Sequence, residues 1–596
     1  MVQRSGCAHR GDSCGHVQLL AEAWGLKMAL VECGSGVRLE RGVEFRLSDG
    51  TTLVSDHYYP AGDGPWPTLL MRQPYGRDIA STVVYAHPVW FARHGYHVAI
   101  QDVRGRSGSG GEFYPFRHEG RDGAETIDWL REHPASNGRI GMYGFSYQGA
   151  TQLLAAVEQP LGLQCIAPHM TAADLYRGWF YHQGALRLSS TLGWGIQMLR
   201  EDARRRGLRD AADRLEAAWS DIRSQAAHVP YGEHPAIADA ALPGYVRDWI
   251  AHREHGTYWR SLDISTRIDQ IKIPALHIAG WFDTYLEGSI AGYLALRNHA
   301  GNAFARENQY LIAGPWVHIP WGDRAGDANF GEAANLNTDE VLLRWFNHWL
   351  KDTGDFSGEP RIRYFSLGPN EWRIANDWPA EAADPLYLHS GGKANSRKGD
   401  GTLLTNAPVG DEPRDVFVYD PEVPVLAPGG PQATSGPSDQ STLEMGNNLL
   451  VYTTAPALRE IEIFGHPYVR LYAATSAAHA DFTAKIVRVA ASGRAEFLSI
   501  GIARSGWLFR ETGYAADEVK AWQFTLEPVA FVLAQGERLR LEIASSAFPL
   551  YDRNPSTDVE PQLADHSNWK RSTQQVLHSA ENPSALYLPV AGDPGW

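Results

Sequence analysis

Residues 138–159, GRIGMYGFSYQGATQLLAAVEQ, decide how this chain is read. A compact apolar run breaks at Gly144-Phe145-Ser146-Tyr147-Gln148-Gly149 and resumes as a helix former. That order of strand, tight turn and helix is the context of a nucleophile elbow, in which a serine hydroxyl stands exposed at the start of a helix. Glycines at 144 and 149 allow the turn to be sharp and the helix to lie close to the strand. Gln148 occupies the second glycine position of the commonest Gly-x-Ser-x-Gly form, with Gly149 one place later. The plainer alternative for Ser146 is a helix cap.

The chain supplies its own decoy in Gly105-Arg106-Ser107-Gly108-Ser109-Gly110, which fits the same loose template. GEFYPF follows it and cannot begin a helix cleanly, so Ser107 reads as a loop residue.

Outward from this turn, VEFRLSDGTTLVSDHYYP (43–60) alternates about Asp49-Gly50 as an opening β-hairpin. TLLMRQPYG and HVAIQDVRG are short apolar strands that end in glycine-bearing loops, and GAETIDWLREH reads as a helix. Strands alternating with helices predict a parallel sheet with functional loops at its carboxyl ends. Residues 171–267 turn helical, as in MLREDARRRGLRDAADRLEAAWSDI, and read as a helical cap inserted in the sheet domain. IKIPALHIAG, NQYLIAGPW and the amphipathic DEVLLRWFNHWLKDT resume that domain. From 376 to 596, proline- and glycine-rich turns separate short alternating strands, the texture of a jelly roll or sandwich. The expected fold is therefore α/β: a parallel-sheet domain (37–170 and 268–375) with a helical cap, followed by an all-β jelly-roll domain. Residues 1–36 read as a disordered extension.

A length of 596 residues predicts several domains. The formal charge of -15, from 69 acidic and 54 basic residues, argues against nucleic-acid or anionic-membrane partners, which need a basic face. A small ester or amide fits better, and a homo-oligomer is left open. Four cysteines, three of them before residue 34, supply no disulfide framework and point to a reducing, cytoplasmic setting. Cys7-x-His9 and Cys14-x-His16 match no common zinc spacing.

A serine needs a histidine to take its proton and a carboxylate to orient that histidine. In the expected order, Asp283 follows the strand in IAGWFDTYLEG and His318 follows the next strand in LIAGPWVHIPWG. The oxyanion would meet the backbone N–H of Tyr147 and a donor in the loop Arg72-Gln73-Pro74-Tyr75-Gly76, where Tyr75 is either a phenol donor or a ring packed behind the proline. Trp179 and Trp194 in the cap, with Tyr285 and Trp316 beside the Asp and His loops, could line an acyl pocket or fill the core.

QPYGRD, QDVRGRSGSGGEF, GRIGMYGFSYQGATQ, GWFDTYLEGS, AGPWVH, VYTTAPALREIEIFGHP, DFTAKI and SSAFPLYDRNPST together resemble the CocE/NonD-type serine hydrolases, the group of cocaine esterase, X-prolyl dipeptidyl-peptidase and α-amino acid ester hydrolase. Gly-x-Ser-Tyr-x-Gly is the form that group uses. The resemblance implies that the sheet domain is an α/β-hydrolase domain split by its helical cap, with Ser146 as nucleophile, His318 as base, Asp283 as its orienter and Tyr75 as an oxyanion donor, and with no metal or organic cofactor. Substrate class stays open between small, partly aromatic esters and the aminoacyl substrates of X-prolyl dipeptidyl-peptidases or β-lactam acyl hydrolases. An ammonium would call for carboxylates near Ser146. Its immediate neighbours are not acidic, although the cap holds Asp174 and Glu201, so the lean is toward neutral acyl groups. A third reading is a glycan-binding or scaffolding protein with an inactive hydrolase domain.

Overall fold

The computed structural model describes residues 30–32, 36–78, 80–381, 384–430 and 436–591. Of the extension read as disordered over 1–36, residues 1–29 and 33–35, with Cys7, Cys14 and Cys33, fall outside these residues, but Leu30–Glu32 correct that reading: they form an edge strand hydrogen-bonded antiparallel to Arg38–Glu40. Cys165 is buried and unpaired.

The alternating hydrophobic segments form the sheet they predict. Its strands are β1 (Leu30–Glu32), β2 (Arg38–Arg46), β3 (Thr52–Tyr59), β4 (Trp66–Gln73), β5 (His97–Asp102), β6 (Ser136–Phe145), β7 (Leu163–His169), β8 (Ala275–Phe282), β9 (Gln309–Val317), β10 (Ile362–Ser366) and β11 (Glu371–Ala375). They pair in the order β1-β2-β3-β5-β4-β6-β7-β8-β9-β10-β11. From β5 to β10 neighbouring strands are parallel, while the hairpin β2–β3 and the edge strand β11 are antiparallel. The parallel strands are apolar almost throughout because helices cover both faces. One of these, α1 (Tyr147–Ala156), is buried at all ten positions, which its run of Ala and Leu with only neutral polar residues permits.

The cap opens with α2 (Leu188–Arg205) and α3 (Arg209–Ser220). The helical stretch read across 198–222 is thus two helices. Gly207, at φ +70°, takes the left-handed conformation that ends the first, and Leu208 caps the second.

After residue 384 the chain is almost entirely β, with antiparallel pairs such as Asp481–Val489 with Ala495–Arg504 and with Arg538–Ala544. One apolar cluster runs without a break from Phe282, Leu286 and Ile290 into Leu471, Phe482 and Leu541, so the β domain shares a core with the hydrolase sheet. It also grips the cap. Leu188 and Ser189 donate backbone N–H bonds to Leu550 and Pro549, and Asp552 donates to Leu186. Asp552 also receives Arg504 and Arg253, each at 3.0 Å. The conspicuous SSAFPLYDRNPST segment is this seam.

Candidate active site

Four loops converge where β4, β6, β8 and β9 end. Ser146 sits immediately after β6 at φ 60° and ψ −127°, a strained backbone for a residue with a side chain, and it is nearly buried. Its N–H bonds the His169 carbonyl at 2.9 Å and its carbonyl receives Gly149 and Ala150, which fixes the turn. The displaced glycine has a steric cause. A Cβ at Gly149 would meet Thr171 side-chain atoms at 2.8 Å and the His169 carbonyl at 3.0 Å, so helix and following strand touch there. Position 148 has room for a glutamine, which folds back over Gly144 and accepts the Phe145 N–H.

The Asp and His loops are placed by strand register. β8 and β9 pair in parallel with Gly280 opposite Gly314 and, across a bulge, Phe282 opposite Val317. The next residues, Asp283 and His318, are therefore side by side. Asp283, fully buried, receives His318 Nδ1 on its Oδ1 at 2.7 Å. Its Oδ2 is buried without a hydrogen bond. With Nδ1 engaged, Nε2 is the imidazole nitrogen left for chemistry. The ring is held between Tyr285, edge-on at 5.0 Å, and Phe145 at 5.4 Å, the residue before Ser146.

The Tyr75 phenol lies beside the Ser146 hydroxyl and the Trp194 indole. Burial pushes its pKa up to about 12, against the opposing influence of the Trp194 and Ser146 dipoles and of the Arg106 charge. It stays a donor at any ordinary pH. Tyr147 opens α1, where a backbone N–H has no acceptor inside the helix. Its phenol is occupied elsewhere, donating to Glu119 at 2.8 Å and accepting the Phe116 N–H.

Aromatic rings make the wall. Trp179 stacks on Tyr285 at 4.1 Å and meets Trp194 at 5.6 Å, so both cap tryptophans join the ring that touches His318. Phe116 completes the wall at 5.1 Å from Trp179 and 5.8 Å from Trp194. The sequence reading passed over it, since a phenylalanine in a loop carries no signal except its neighbours. Trp316 is a correction. It is buried in the core, where its indole N–H donates to the Ala334 carbonyl at 3.0 Å and its ring packs on Trp321 and Trp372, contacts that hold it as a packing residue. Asp174 and Glu201 are also committed elsewhere. Glu201 is exposed and paired with Arg200 and Arg204, while Asp174 lies beside Arg177, His255 and Asp263. Ser107 stays in a loop, and the next helix begins only at Glu119.

The X-Pro dipeptidyl-peptidase (S15 family) profile matches residues 49–320, and the X-Pro dipeptidyl-peptidase C-terminal non-catalytic domain profile matches residues 355–587. Cocaine esterase of Rhodococcus sp. (strain MB1 Bresler) is 34% identical over 568 residues, spanning 91% of this chain and 97% of that protein. The chain belongs to the CocE/NonD hydrolases of the S15 family. Among solved members and relatives, an α-amino acid ester hydrolase superposes with a TM-score of 0.79 at 25% identity, covering 96% of this chain and 99% of its own. An aminopeptidase from a marine sediment Thaumarchaeota archaeon gives 0.78 at 25% identity, covering 92% and 96%. The family architecture of hydrolase domain followed by β domain extends over this chain. No helix among the described residues is long and apolar enough to cross a membrane.

Proposed function

We propose that this chain is a serine esterase acting on small, neutral, partly aromatic acyl esters through an acyl-enzyme. The observation that carries the reading is the Asp283–His318 hydrogen bond of 2.7 Å beside a strained Ser146 whose hydroxyl neighbours the Tyr75 phenol. In acylation, His318 Nε2 takes the Ser146 hydroxyl proton as Oγ bonds to the ester carbonyl carbon. The carbonyl oxygen becomes an oxyanion, met by the Tyr75 O–H and the Tyr147 N–H. As the carbon–oxygen bond to the leaving alcohol breaks, His318 returns the proton to that alcohol. Water repeats the sequence on the acyl-enzyme and frees the acid, while Asp283 keeps the imidazole in its productive tautomer and stabilises its charged form.

The neutral acyl preference rests on the wall. Phe116, Phe145, Trp179, Trp194 and Tyr285 surround the site, and of the two cap carboxylates weighed as ammonium partners, Glu201 is paired with Arg204 and Asp174 lies in a separate cluster with His255 and Asp263. The likeness to an aminopeptidase and an α-amino acid ester hydrolase makes the aminoacyl class the competitor to test.

The experiment is a time course with a nitrophenyl benzoate beside an aminoacyl nitroanilide, followed by intact mass after an organophosphonate. Turnover of the benzoate with a single adduct on Ser146, absent from Ser146→Ala, is expected. Cleavage of the aminoacyl compound alone overturns the substrate class. Full activity in Ser146→Ala overturns the mechanism.

A further inference from the structure

Asp174, His255 and Asp263 bring one ligand atom each to within 4.8 Å of the others, at the place where the chain leaves the hydrolase sheet for the cap and returns. The two crossings are joined there, since the Ile264 N–H donates to the Ala173 carbonyl at 3.1 Å. His255 comes from the loop between the cap helix Tyr245–Ala251 and the short helix Thr257–Arg260, and its ring stacks on Tyr176 at 5.4 Å.

The polar atoms of this cluster do not satisfy one another. His255 Nε2 lies 3.8 Å from Asp174 Oδ1 and 3.6 Å from Asp263 Oδ2, both beyond hydrogen-bond reach. His255 Nε2 and Asp263 Oδ2 are buried with no hydrogen-bond partner, although the Asp263 side chain is fully shielded from solvent. Asp263 Oδ1, by contrast, is held by the Ser265 N–H and hydroxyl at 3.2 and 2.9 Å, which aims Oδ2 at His255. Asp174 Oδ1 accepts the Arg177 N–H, and the Arg177 guanidinium is exposed at 3.8 Å, too distant and too hydrated to neutralise two carboxylates. Orphaned buried atoms of this kind are costly unless something binds them.

We propose that Asp174, His255 and Asp263 bind a divalent cation of the zinc class, which pins the two crossings of the cap together. One imidazole nitrogen and two carboxylate oxygens form a mixed donor set suited to such an ion. Donors on a tetrahedral ion at about 2.1 Å stand roughly 3.4 Å apart, close to the two distances from His255. The cation supplies the two positive charges that the pair of carboxylates lacks. Of the three ligands, His255 also lines a cavity of about 220 Å³ between cap and β domain, beside Arg253, Glu254, Arg504 and Trp507.

The site is tested on the full chain, stripped with a chelator and titrated with Zn²⁺ by calorimetry, with melting curves alongside. Wild type is expected to bind one equivalent more than Asp263→Asn or His255→Gln, and to gain melting temperature with Zn²⁺ where the variants do not. Co²⁺ bound there should show ligand-field absorption without a thiolate charge-transfer band. Zinc held by the Cys7, His9, Cys14 and His16 segment would be retained by every variant, so the difference of one equivalent isolates this site. His255→Gln, at a partly exposed side chain, covers the case that Asp263→Asn does not fold. Equal stoichiometry in wild type and His255→Gln, or melting shifts of equal size, overturns the proposal.

Discussion

Gln148 Nε2 donates to Gln73 Oε1 at 3.1 Å, joining the turn of Ser146 to the loop that carries Tyr75. Gln73 in turn donates to the Gly76 carbonyl at 3.1 Å, closing that loop around the tyrosine. Ser146 and the Tyr75 phenol are thereby held by one buried amide chain. Gln148→Gly would restore the commoner motif yet cut the chain, so kcat should fall about 10-fold with little change in KM. Steady-state kinetics on a nitrophenyl ester decide it, and an unchanged kcat would leave Gln148 a packing residue.

Asp283→Asn addresses the tautomer. The asparagine amide can donate to Nδ1, which drives the imidazole proton to Nε2 and removes the lone pair that must accept the serine proton. A loss of about 10⁴-fold in kcat is expected, with folding preserved because the residue volume is kept. A variant within 10-fold of wild type would mean that the 2.7 Å contact to His318 is structural.

Tyr75→Phe removes the phenol proposed as an oxyanion donor and leaves the ring. The expected loss is about 10²- to 10³-fold in kcat. Because the phenol pKa is raised to about 12, wild type should show no alkaline loss of activity from this residue below pH 11. An alkaline limb that disappears in Tyr75→Phe would show that the phenol ionises earlier than its burial implies.

Local pattern carried much of this architecture. The turn at residues 144–149, the hairpin at Asp49-Gly50 and the strands before Asp283 and His318 each follow from periodicity and glycine placement over a few residues, and the structure forms all of them. Relationships between distant segments were not legible. Trp316 and Tyr285 each lie close in sequence to one of the loops carrying Asp283 or His318, yet the first donates to the Ala334 carbonyl in the core while the second, at the start of the helix after β8, stacks on Trp179 of the cap. Phe116, Trp179 and Trp194 meet because the cap folds over the sheet, which no spacing in the chain encodes. In the sequence Asp174 is only one of two cap carboxylates to weigh against an ammonium, and nothing there shows that its neighbours in space are His255 and Asp263.

Arg187 and Glu527 illustrate the same point energetically. Arg187, from the cap, meets Glu527, from the β domain, at 3.0 Å with both side chains buried. Burial pushes the Glu527 pKa up to about 7; Arg187 opposes this, and the nearby Glu287 and Asp283 carboxylates add to it. The folded protein therefore holds a proton on Glu527 up to about pH 7, whereas the unfolded chain releases it near the ordinary value of 4.5. Between those values the folded state binds more protons, so its stability falls as pH rises. The difference amounts to about 3 kcal/mol over the window. Urea unfolding of wild type and Glu527→Gln from pH 4.5 to 8 should show the wild type losing stability relative to the variant across this range, and parallel curves would place the Glu527 pKa near that of an ordinary carboxylate.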